Sequence, residues 1–406
     1  MKRITAILSI AALVLFASCE REPAGPEFGT SEDDAIGFTT SFPEGWAPVS
    51  KAINVDSAYL SDNGFGVYAY YTGSANYTGA SSVEGVVLDN RKVWYANDYT
   101  YNTATSTWSA TGSKAWRYYG SDYPGGVKYK EYWPMRQSEK MTFFAYAPWN
   151  TWNSQVSVAE NGAVPTINYQ LFTNGSGGAS QSGSTYTVTV ENSTFGDGIQ
   201  KDLLWGVQST GYPYKDFQRP ASNTAEHQQN TVDFKFRHAL SKLSFTIATE
   251  VLPSDPAESV IEDFDYYEYI NSTYPLKTVY LVESVEVWSD DGLLKNSATL
   301  SLDNTTDANS PEWSNKSNNV KYDFTKTIFG NDIKYERTGS SFNASDNRTN
   351  FSNLIGRRTS ITGLTTEPQT LMGSNSNRLY AIPGSGQLTV RVKYHKVTFF
   401  RRLCSS

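Results

Sequence analysis

Val232-Asp233-Phe234-Lys235-Phe236-Arg237-His238-Ala239-Leu240-Ser241-Lys242-Leu243-Ser244-Phe245 puts an apolar side chain at every second position, slips phase, and then alternates again. In an extended chain Val232, Phe234 and Phe236 fall on one face and Asp233, Lys235 and Arg237 on the other, the pattern of a half-buried strand. The slip spans His238-Ala239-Leu240, after which Leu243, Phe245 and Ile247 resume the period. Such a break marks a bulge or a crossing from one sheet to another. His238 stands inside the break and fits a buried, hydrogen-bonded structural histidine better than a catalytic one.

The same period recurs on both sides of this stretch. It is found at residues 36–42, at 65–71 after the turn signal Asp62-Asn63-Gly64, and at 140–147 up to Pro148. It returns at 186–190, 203–207, 278–282, 285–288 and 298–302, and at 387–394 with the apolar set Leu388, Val390, Val392 and Tyr394. Residues 93–95 and 128–133 read as further strands, and the Gly- and Ser-rich stretch 171–185 as a loop. Helical periodicity is nearly absent. Many short strands between Gly, Asn and Asp turns predict an all-β chain built of β-sandwiches. Its 406 residues suit two such units, 35–209 and 231–406, joined by a polar linker at 210–230 that contains Pro213 and Pro220.

Composition agrees. Aromatic residues make up 14% of the chain, with 27 Tyr, 20 Phe and 10 Trp, and such side chains suit pleated, half-buried surfaces. The net charge of −7 comes with no basic patch beyond Arg357-Arg358 and Arg401-Arg402, which argues against a nucleic-acid partner. Cys19 and Cys404 are the only cysteines, so a disulfide framework and a cysteine zinc site are excluded.

The N-terminus opens with Lys2-Arg3, continues with an apolar run over residues 4–17, and ends on Ala17-Ser18-Cys19. A basic start, a short apolar stretch and small residues before a cysteine predict a lipoprotein signal peptide over residues 1–18, with Cys19 as the lipid-attachment site. Two or three acyl chains would anchor the protein firmly to the outer membrane, each buried CH₂ contributing about 0.8 kcal/mol. Residues 19–34, rich in Pro, Gly, Glu and Asp, read as a flexible tether.

Several stretches together resemble the fimbrillin-like (Mfa-like) family of Bacteroidetes, which includes type V pilus subunits. They are Phe65-Gly66-Val67-Tyr68-Ala69-Tyr70; Tyr132-Trp133-Pro134 followed by Met141-Thr142-Phe143-Phe144-Ala145-Tyr146-Ala147-Pro148; Lys201-Asp202-Leu203-Leu204-Trp205-Gly206; the stretch quoted first; and Leu379-Tyr380-Ala381-Ile382-Pro383. They occur in the family's order. The resemblance implies two tandem transthyretin-like β-sandwich domains and assembly with other fimbrial subunits by strand exchange. In that exchange a protease removes the first strand of one subunit and a neighbour's strand fills the groove. The family's cleavage point maps to Val49-Ser50-Lys51-Ala52, where Lys51 stands in place of the usual arginine. This suits a different trypsin-like protease, or an unprocessed anchor or accessory member; alternatively Lys51 is a solvated loop residue. The family usually continues with further strands beyond the position of Tyr394, and these are expected to be missing here, which would leave an apolar groove.

Sites of chemistry are scarce. His227, His238 and His395 are far apart in sequence, and no nucleophile elbow, metalloprotease motif or phosphate loop occurs, so neither catalysis nor a cofactor is expected. The acidic pairs Asp33-Asp34, Glu262-Asp263 and Asp290-Asp291 lie in turn-like or tether-like surroundings, where carboxylates are normally solvated. Asp56-Ser57-Ala58 resembles the short O-glycosylation motif of Bacteroidetes envelope proteins, with Ser57 as acceptor. Trp108 and Trp152 stand in polar surroundings and are the indoles best placed for exposure, although aromatics of a sandwich otherwise belong to its core. Tyr266, Tyr267 and Tyr269 cluster among acids as a second contact candidate. Two function classes follow: a fimbrial subunit or tip/accessory adhesin, and a monomeric surface lipoprotein that binds glycans. Host or bacterial surface glycans or proteins are the expected targets.

Overall fold

The computed structural model describes residues 27–30, 34–41, 57–118, 130–149, 156–157, 162–195, 199–207, 215–219, 230–249, 258–260, 263–264, 276–303, 310–324, 361–362, 367–374 and 377–400. Strands β1 (Gly37–Ser41), β2 (Phe65–Tyr71), β3 (Gly85–Asn102), β4 (Thr107–Tyr118) and β5 (Lys140–Ala147) come first, with the helix α1 (Ser57–Asn63) between β1 and β2. Strands β6 (Thr166–Gln170), β7 (Ala179–Ser182), β8 (Thr185–Thr189), β9 (Leu204–Val207), β10 (Thr231–His238) and β11 (Ser241–Leu243) follow. The last are β12 (Leu276–Trp288), β13 (Lys295–Ser301), β14 (Trp313–Asp323), β15 (Leu379–Ala381) and β16 (Thr389–Phe400). The fold is all-β, as the period of two predicts.

Among the described residues two large sheets form, of eight and nine strands. The first runs β1-β10-β9-β5-β2-β3-β4, and a short strand, Phe217–Gln218, also pairs with β5. In the second, β12 lies beside β14, β14 beside β13, and β13 beside β6, while β8 joins β14 and β16 joins β12. Strand β1 runs parallel to β10, Phe38 standing opposite Val232.

The first sheet curls until its two ends meet. Phe38 of β1 lies 5.6 Å from the ring of Tyr118 of β4, and the Tyr118 hydroxyl donates to the Ile36 carbonyl at 3.1 Å. One core fills the curl: Phe38, Phe65, Val67, Phe143, Phe234 and Phe236, closed by Leu60 of α1 and by Trp133. The outer face of the same sheet, with Tyr68, Tyr70, Phe144, Tyr146 and Trp205, packs on Ile167, Tyr169, Val188, Val285, Leu300 and Tyr322 of the second sheet. Strand β2 is therefore buried at every position and β5 at every position after Lys140. Both strands therefore bury side chains on both faces, where the alternation expected of 65–71 and 140–147 would bury one. Gly66 is needed here, since a Cβ on it would stand 2.3 Å from Cε1 of Tyr146.

Several expectations shift. Strands drawn from both sides of 210–230 share each sheet: β10 lies in the first, and β6, β7 and β8 lie in the second. Within 210–230 itself, Phe217 is buried and its ring packs at 5.6 Å from Trp133, so this stretch is built partly into the first sheet. Around 128–133, Tyr132 and Pro134 make only isolated bridges, to Ala35 and Phe28, because Trp133 turns inward and its indole N–H donates to the Asn230 carbonyl at 2.9 Å. The stretch 171–185 is not all loop, since β7 turns back on β8 through Gly183, whose φ of 57° suits glycine. The end of the expected tether is docked: the Gly29 amide donates to the Trp133 carbonyl at 3.0 Å, and Asp34 pairs with Arg219 at 2.7 Å.

Candidate assembly surface

Strand β16 forms one margin of the second sheet. Among the described residues it pairs with β12 alone, antiparallel over Leu276↔Phe400 to Trp288↔Thr389, with an irregularity between Val282 and Ser284. Residues opposite one another in such a ladder share a face. Val390 therefore lies beside Val287, Val392 beside Val285, and Tyr394 beside Val282. The three valines of β12 are buried, at 1%, 2% and 5% exposure. Their neighbours on β16 are not: Val390 is 55% exposed, Val392 39% and Tyr394 55%, with Leu388 next to them at 43%. The apolar layer between the sheets thus continues one strand further than its cover does, leaving a ledge along a strand whose outer edge has no partner among the described residues.

The start of β16 is pinned. The Gln387 amide donates to the Asp291 carboxylate at 2.6 Å, and the Thr389 hydroxyl to Asp290 at 3.1 Å. Hydrogen bonds from Ser289 and Gln387 hold the Asp291 carboxyl below its ordinary value. The acidic pair Asp290-Asp291 therefore serves as a clamp between the turn after β12 and the first residues of β16. On the opposite face of the ladder, Arg391 pairs with Glu286 at 3.1 Å and Lys393 pairs with Glu283.

At the other end of the chain, β1 pairs with β10 alone among the described residues. Its hold is the ring of Phe38, 4% exposed and set among Phe65 at 6.4 Å, Phe143 at 6.4 Å and Phe234 at 5.9 Å.

Three of the quoted signatures converge where the chain leaves the first sheet. Asp202, fully buried, pairs with Nδ1 of His238. The Gln200 side chain grips both backbone groups of Tyr380, donating to its carbonyl and accepting from its amide, each at 3.0 Å. Strand β11 pairs with β15, Lys242 opposite Tyr380, and the Ala239 amide donates to the Leu203 carbonyl at 2.7 Å. The phase slip at 238–240 is thus a crossing: Phe236 faces the first core and Ala239 and Leu240 face the second. Burial, and then the Asp202 carboxylate, push the Tyr169 and Tyr380 hydroxyls far above the ordinary phenol range. Burial pulls Lys242 down and the Asp202 charge partly restores it.

The candidates named from sequence scatter. Cys19, Lys51, Ala52, Trp152, Tyr266, Tyr267 and Tyr269 lie outside the described residues. Ser57 is the first residue of α1. Trp108 stands opposite Tyr101 in the ribbon formed by β3 and β4, whose outer part is exposed over residues 102–107 and 109–114. None of these meets the β16 ledge. The row Leu388, Val390, Val392 and Tyr394 was visible as a strand face, but nothing in its own sequence separates a covered face from an uncovered one.

No protein-family model matches the chain, and no curated protein matches it. A solved structure described as a fimbrial protein from Bacteroides vulgatus ATCC 8482 is similar over 90% of this chain and 88% of that one, at 18% identity and a TM-score of 0.47.

Proposed function

We propose that this chain is a fimbrial subunit or tip/accessory adhesin of a bacterial cell surface, exported as a lipoprotein on Cys19 and assembled by β-strand exchange. The observation that carries the reading is the ledge along β16, where the described residues provide an apolar floor and no second strand partner. A strand from another subunit would satisfy both, through backbone hydrogen bonds and alternate side chains. The order of the fimbrillin-like signatures supports the same reading. A cut at Lys51-Ala52 would leave β1 held by non-covalent contacts, namely its pairing with β10, the Phe38 ring and the docked residues before it, which an incoming strand could displace.

Cells expressing the full chain should yield envelope fractions with a ladder of multiples that survives mild heating in detergent. Val390→Lys with Val392→Lys should collapse the ladder to the single-chain band. A ladder unchanged in that double variant would remove the ledge from the assembly, and no ladder in the native chain would remove strand exchange. In the same cells Cys19→Ala should move the protein out of the membrane fraction.

A second reading, a monomeric glycan-binding lipoprotein, is favoured by the exposed outer part of the β3–β4 ribbon that carries Trp108. It requires saturable polysaccharide binding by single chains that falls at least tenfold in Trp108→Ala.

A further inference from the structure

On the outer face of the second sheet Glu286 of β12 lies between cations of β14 and β16, with Asp323 of β14 directly opposite it in the ladder. Lys321 of β14 pairs with Glu286 of β12, and Glu286 pairs with Arg391 of β16. A second row repeats the last step, from Glu283 of β12 to Lys393 of β16. Inside the sheet Lys321 is enclosed, its side chain 28% exposed, whereas at the margin Arg391 and Lys393 are 66% and 64% exposed. The margin therefore carries cationic side chains still open to water.

Resting on the strand-exchange reading above, we propose that the strand accepted along β16 belongs to a different segment of a partner subunit and alternates apolar with acidic residues. Its apolar side chains would lie on the row Leu388, Val390 and Val392. Its carboxylates would lie on the opposite face beside Arg391 and Lys393, the exposed cations at the margin. Opposite charges directly across a ladder stabilise and like charges destabilise. The same rule disfavours two copies meeting β16 to β16 in the register centred on Val392, which would set Arg391 of one copy against Lys393 of the other. The apolar row alone would accept any strand of alternating character, so the charges would supply the discrimination between partners.

The test uses the full chain and three labelled ten-residue peptides with valine at every second position and Glu, Thr or Lys between, titrated by fluorescence anisotropy. The Glu peptide should bind about tenfold more tightly than the Thr peptide, as two favourable cross-strand charge pairs would give, and the Lys peptide most weakly. The differences should shrink at 0.5 M salt, where the screening length is about 4 Å. Arg391→Glu with Lys393→Glu should reverse the order. Arg391→Gln with Lys393→Gln, which adds no repulsion to Glu283 and Glu286, should flatten it. Equal affinities for the three peptides, or a preference for Lys, would overturn the charge rule while leaving strand docking on β16 intact. Absence of binding by all three would instead overturn strand docking itself.

Discussion

Asp202→Ala should lower the stability of the chain by about 3 kcal/mol, because it removes a buried acceptor from the groups packed around it. Asp202 is fully buried and its carboxylate sits against His238, with the Tyr380 hydroxyl and Lys242 in its field. Its removal leaves the imidazole and the phenol without the acceptor they are packed around. The loss falls where β10 ends and the chain crosses between sheets, so it loosens the grip of each sheet on the other. A protein of this kind has about 5–15 kcal/mol in total, so the variant should be marginal at 37 °C. Asp202→Asn keeps the volume and one acceptor oxygen and should recover part of the loss. Urea denaturation of the three proteins decides the matter, and a shift below 1 kcal/mol for Asp202→Ala would show that the pair contributes little to holding the crossing together.

Phe38→Ala should cost about 3–5 kcal/mol, through a different route. The ring bridges the two ends of the curled sheet, touching Tyr118 on β4 and Phe234 on β10, and alanine would leave a cavity among rigid aromatic neighbours. Among the described residues strand β1 has one partner in the sheet. The variant should therefore show the two effects together: lower global stability, and faster amide exchange over residues 37–41 than elsewhere in the first sheet. Protection at 37–41 equal to that of β2 in the variant would show that backbone pairing to β10, rather than the ring, holds the strand.

Much of this fold could be read from residue order. β2, β5 and β10 were visible because their side chains meet a core on one face or both, and burial imposes a period that a sequence displays. The crossing at 238–240 was visible for the same reason, as a change of the face that needs to be apolar. β4 and β14 were not visible. Residues 109–114 of β4 and 314–317 of β14 are exposed on both faces, so no apolar period is required there and Ser, Thr, Asn and Lys fill the strand. Only Val320, Tyr322 and Phe324, which enter the second core, carried a signal for β14.

The grouping of strands into sheets was hidden for another reason. A polar, proline-containing stretch such as 210–230 reports that chain runs near the surface, not which strands pair across it. Likewise Asp202 and His238 are separated by a long stretch of chain, and only the pairing of β9 with β10 brings them together. The β16 ledge lies between these cases. Its apolar row was legible and its lack of cover was not, because cover depends on which strands come to lie alongside.

Strands β2 and β5 have apolar side chains on both faces, one set belonging to the curl of the first sheet and the other to the layer against the second. They act as a party wall between two oily rooms. Flooding either room strips one side of that wall, and the wall cannot then keep the other room dry. Heat or denaturant therefore meets a cooperative block rather than two parts that melt in turn.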